Sequence, residues 1–185
     1  DGVTVTCSKV KLNVGVILGS EPGEPGKNDE VAEFTECKVE GNDKNCTLLI
    51  PIITEPLTSE LVENVESKKV GKKLLVEFFP TTGTNLATLR FSNECNTKET
   101  KVTGKVAAEV LTDPGEATIE LGQAAKQAES WLLKFPSVAV SEVWLIKGGV
   151  GSAVKVGLVA FGDEAFEIGT VLVLLENEGE WSPLP

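Results

Sequence analysis

The sequence predicts a mainly β fold, an antiparallel β-sandwich or two small packed β-domains. Three observations carry that expectation. Short Val-rich runs are broken by 18 Gly and 9 Pro, a composition that suits strands and turns better than helices. Several runs alternate apolar and polar residues with a period of two, as half-buried strands do. Four cysteines without a CxxC pair, in a chain that has no histidine, suit disulfide staples in an oxidising compartment. At 185 residues the chain is long enough to bury a core, in one domain or two small ones.

Val3, Val5 and Cys7 alternate with Thr4 and Thr6 and predict a first strand. Past Ser8-Lys9 the apolar phase moves to Val10, Leu12, Val14 and Val16, which predicts a bulge or sharp bend there. Gly19 to Asn28 is an acidic Pro/Gly loop, expected to be exposed and mobile. Val31 to Val39 reads as a strand leading into a polar turn flanked by Cys37 and Cys46. Leu48 to Ile53 is nearly all apolar around Pro51, the pattern of a strand buried on both faces with proline near an edge or bend. Residues 59–70 read as a strand end and a hairpin.

Leu74, Val76 and Phe78 point one way and Leu75 and Phe79 the other, before a turn at Pro80 to Thr84. Ala87, Leu89 and Phe91, then Val102, Val106, Ala108 and Val110, continue an antiparallel meander. Thr112-Asp113-Pro114-Gly115 is the strongest turn signal, dividing a disulfide-stapled region 1–112 from a second region 113–185. Leu121, Ala124, Ala125, Ala128, Trp131 and Leu132 recur at helical spacing, which predicts one short helix near residues 122–133. Strands are expected again over 138–145, Val154 to Ala160 and Gly169 to Leu175, with Gly148 to Ser152 as a hairpin connection.

The net charge of −11 and a single arginine, Arg90, exclude a phosphate-backbone partner, which needs clustered basic groups. No apolar run reaches the ~18 residues that a membrane helix needs, so membrane insertion is not expected. Asp1 reads as the residue left by signal-peptide cleavage, and the cysteines point the same way, to an exported chain.

Four cysteines admit three pairings. Cys37 with Cys46 closes a hairpin-sized loop, and Cys7 with Cys95 then ties the first strand to a late one. Without histidine or a short CxxC spacing, no zinc site and no cofactor are expected. Asn45-Cys46-Thr47 matches the N-glycosylation sequon.

Zero histidine also removes the usual catalytic triads and the common general base near neutral pH. No phosphate-binding glycine loop is present, and no catalytic residue is assigned. What remains is a carboxylate pair, as glycosidases use. The candidates are Glu77, inside an otherwise apolar run, and Glu109 or Glu120, all of which alternation places on polar, solvated faces. Asp29-Glu30 and Asn42 to Asn45 carry oxygen ligands in expected loops but lack calcium-loop spacing. Trp131 and Trp144 are expected in the core, and Trp181 lies in the Pro-rich tail.

The succession VTC, FTEC, a second Cys soon after, TEPLTSELV, PTTGT, a fourth Cys and VTGKVAAEV resembles a group of exported β-rich proteins of actinobacteria. The closing segment, SWLLKFP through VWLIKGG to EWSPLP, fits the same pattern. The resemblance implies export and the same cysteine pairing, and it transfers no activity and no site residues.

The function expected from all this is an extracellular structural or interaction protein. It would be a subunit of a surface assembly or filament joined by β-strand contacts, with itself or another surface protein as partner. A monomeric module for a small apolar ligand or a polysaccharide comes second, and a carboxylate-dependent hydrolase third.

Overall fold

The computed structural model describes residues 3–18, 27–41, 45–64, 74–112, 130–135, 140–145, 153–165 and 169–174. Among them are twelve strands and no helix. They run β1 (Thr4–Leu18), β2 (Lys27–Glu40), β3 (Ile52–Ile53), β4 (Leu57–Asn64), β5 (Leu74–Pro80) and β6 (Asn85–Arg90). These are followed by β7 (Glu99–Thr112), β8 (Ser130–Phe135), β9 (Val140–Leu145), β10 (Ala153–Ala160), β11 (Asp163–Ala165) and β12 (Gly169–Leu174). All twelve join one antiparallel sheet, which curls on itself.

The curl is a closed circuit of ladders. β4 pairs with β5, β5 with β7, β7 with β10, β10 with β9, and β9 returns to β4. Val62, Leu75, Ala107 and Val156, from four of those strands, meet in one buried cluster. Five antiparallel steps cannot close with straight strands, because each step reverses direction. A strand must therefore turn, and the positive φ within the circuit's strands falls at Gly104, in β7 (φ 115°). A Cβ there would overlap the Gly157 carbonyl oxygen of β10, so only glycine allows the two backbones to meet.

Beyond the circuit, β1 and β2 form a long two-stranded ribbon with a register shift between Asn13 and Val16. β2 joins the rest through Lys27 to Glu30 on β4 and through Glu33-Phe34 on β3. Val5, Cys7, Phe34, Cys37 and Val39 of the ribbon pack on a core of Leu48, Ile52, Leu57, Leu86, Leu89, Phe91 and Leu158. The ladder keeps its register across the phase change past Ser8-Lys9, so the bulge or bend expected there is not present. Glu36, across from that point on β2, has φ 53°, and Phe34 and Cys37, with two residues between them, both reach the same core. The bulge in the ladder lies further on, past Asn13. A third cluster of Leu61, Leu74, Phe78, Ala108, Val110 and Leu133 lies against Phe135.

The disulfides correct the expected pairing. Cys7 bonds Cys37, and Cys46 bonds Cys95. Cys7 and Cys37 are direct register partners in the β1–β2 ladder, so the strand pairing itself brings their side chains together. Cys46 is brought to Cys95 by the adjacent Leu48–Phe91 bridge and by the Ser92 amide donating to the Thr47 carbonyl. The Cys37–Cys46 turn is therefore not a covalently closed hairpin.

Two further expectations change. Trp131 and Leu132, placed in a helix by spacing, lie in β8, which pairs with β7 on one side and β12 on the other. Residues 122–129 lie outside the described residues. Here tertiary pairing outweighs a helical period carried by only a few positions. Leu48 to Ile53 is not a strand buried on both faces: only Ile52–Ile53 is strand, and Leu49, Ile50 and Ile53 are more than half exposed. Pro51 lacks the N–H that a continuous ladder would need. Ladders from β7 to β8 and β10, and from β4 to β9, also join regions 1–112 and 113–185 in one sheet.

Candidate functional site

Among the described residues, two buried acids and one strand edge without a partner are the features that packing alone does not account for. Glu77 lies on β5 between Leu75 and Phe79, opposite Glu60 of β4 and Ala107 of β7. It is fully buried, which corrects the solvated placement expected for it. Alternation puts it on one face with Leu75 and Phe79, but both faces of β5 are covered.

Lys105 Nζ stands 3.2 Å from Glu77 Oε1 and 4.6 Å from the Phe79 ring centroid. The contact meets an ion pair's distance but not hydrogen-bond geometry, and neither carboxylate oxygen has a hydrogen-bond partner among the described residues. Burial pushes the Glu77 carboxyl above its ordinary range. The Lys105 charge offsets part of that rise, and Glu60 adds to it.

Glu30 is the second buried acid. It lies in strand β2, not in a loop, opposite Leu57 and diagonal to Ser59 on β4. Burial lifts its carboxyl to about 7, the nearby Ser59 hydroxyl lowers it, and Asp29 raises it. Glu30 Oε1 and Ser59 Oγ have no hydrogen-bond partner among the described residues. Sequence reasoning missed Glu30 as a buried group, because Asp29 and Asn28 beside it read as a polar turn.

Glu30 and Glu77 do not converge. Their partners on β4, Leu57 and Glu60, point to opposite faces of that strand. Glu109 is half-buried on β7, opposite Leu75 and Lys134. Glu120, Gly148 to Ser152, Asn42 to Lys44 and Trp181 lie outside the described residues, as do the side chains of Trp131 and Trp144. Asn45 is exposed. No group of three or more metal-ligating acids or cysteines occurs among the described residues.

The edge is β1. Among the described residues it pairs only with β2. Between Val3 and Asn13 no side chain is buried, and Val3, Thr4, Thr6, Ser8, Lys9, Lys11 and Leu12 are exposed. Glu36 accepts a hydrogen bond from Ser8 Oγ at 2.7 Å and an ion pair from Lys9 at 2.5 Å. These contacts, Lys9 first, hold its carboxyl below the usual range. No protein-family model, curated protein or solved structure matches the chain.

Proposed function

We propose that the protein is exported and works outside the cell as a structural or interaction protein, joining copies of itself or another surface protein through strand edges. The observation that supports this most is β1, a 15-residue strand whose second edge has no ladder partner among the described residues. An unpaired edge presents a row of N–H and C=O groups that a further strand can satisfy. The two disulfides suit an oxidising, extracellular setting. The resemblance to exported actinobacterial proteins fits the same reading.

The reading is tested by light scattering combined with hydrogen exchange over a range of concentrations. Association should raise the mean mass, and the β1 amides that do not donate to β2 should gain protection in step with it. A monomer at every concentration, with those amides exchanging freely, would sink the proposal.

A further inference from the structure

We infer that β1 pairs antiparallel with β1 of a second copy, about a two-fold axis at Ser8. This rests on the reading above that the protein associates through a strand edge, and it names the edge, the partner and the register.

Three observations select it. The register shift after Asn13 ends the regular stretch of the edge, and a bulge bends and twists a strand away from a flat partner. Within the regular stretch Thr4 to Asn13, a register centred on Ser8 pairs the residues Thr4 to Leu12 of the two copies. In the register centred there, Thr4 faces Leu12 of the second copy, Val5 faces Lys11, and Cys7 faces Lys9. Centring on Lys9 would set Lys9 against itself, and centring on Val10 would set Lys9 against Lys11. Like charges directly opposite destabilise a ladder, so the lysines exclude those neighbouring registers.

Charge also favours a second copy at this place. The whole chain carries −11, but residues 3–13 and 31–41 hold three lysines, Lys9, Lys11 and Lys38, against three glutamates, Glu33, Glu36 and Glu40. Two copies of an acidic protein repel least where the surface is locally neutral. The strand at the other end of the sheet order, β12, suits this edge less well. Its six residues, Gly-Thr-Val-Leu-Val-Leu, cover only part of Thr4 to Leu12 and offer no anion to Lys9 or Lys11. A two-fold pair uses the same surface on both copies and closes, whereas β1 on β12 would propagate head to tail.

The test is a photo-reactive benzophenone side chain in place of Leu12, in the full oxidised chain, with isotope-labelled and unlabelled copies mixed. The expected product is a mixed-isotope link from position 12 to the segment around Thr4. Within one strand those positions are about 26 Å apart, so the link cannot arise inside a single copy. Links to residues 169–174, or an oligomer in which position 12 forms no such link, would overturn the two-fold pairing and leave association itself standing. A protein monomeric throughout would overturn both readings.

Discussion

The circuit of β4, β5, β7, β10 and β9 and the ribbon of β1 and β2 are built from similar residues but held in different ways. Every strand of the circuit is bonded to a neighbour on each side. It tolerates a carboxylate, Glu77, at full burial. The ribbon has one partner per strand over much of its length, packs by one face, and carries a covalent bond across its ladder at Cys7–Cys37. Closure makes a staple unnecessary in the first region. In the second the staple does what missing neighbours would otherwise do, and among the described residues the far edge of β1 has no partner.

The change expected to break the circuit most severely is Gly104→Ala, because the added methyl meets the Gly157 backbone rather than a movable side chain. A loss above about 4 kcal/mol is expected, a size reserved for changes that break a specific packing feature. Gly83→Ala, also at positive φ but with no neighbour within 4 Å, should cost only the conformational strain of about 1–2 kcal/mol. Denaturant unfolding of the two variants checks the contrast. Similar losses would mean that the closed circuit does not depend on that contact.

Replacing both Cys7 and Cys37 with Ser should act on the ribbon alone. A bridge of sequence separation 30 contributes about 3.5 kcal/mol in the chain-entropy picture. Hydrogen exchange should show β1 and β2 amides losing protection while β5 and β7 keep theirs. Equal loss everywhere would show that the two regions unfold as one unit.

The smallest effect sharpens the seam between them, where Glu30 sits in the β2–β4 ladder. Its folded carboxyl, raised to about 7, lies above the unfolded value of 4.5. The neutral form is thus favoured on folding, so the stabilising contribution is complete below pH 4.5 and is lost as pH rises through 7. The full change is about 3 kcal/mol at most. Glu77, raised in the same direction by burial, adds to the slope. Glu30→Gln should flatten the fall in stability between pH 5 and about 8, as followed by denaturant unfolding at each pH. An unchanged slope would remove Glu30 from the seam's titration.

Much of the strand order was legible from alternation, as in Ala87-Leu89-Phe91 on β6 and its continuation, Val102 to Val110 on β7 and Val154 to Ala160 on β10. A period-two pattern reports one strand's faces and needs no knowledge of its partners. The circuit was not legible, since its closure rests on pairs such as Val62 with Leu145 and Leu158 with Gly104, far apart in the chain. Gly104 itself looked like one more residue in an alternating run. Glu77 carried a usable signal. Apolar residues on both phases around it, Leu75 and Phe79 on its own face and Val76 and Phe78 on the other, mark a strand covered on both sides. The cysteine pairing needed the β1–β2 register, which hydrophobic phase and loop length do not fix together.

The order of the bridges along the chain has its own consequence. Cys7–Cys37 and Cys46–Cys95 close consecutive loops that neither nest nor interleave. In a chain that crosses a membrane with its N-terminus leading, the first two cysteines can meet before the third has emerged. The last two are then left with only each other. In such a chain, simple order of arrival would select this connectivity without a bond having to be broken and remade.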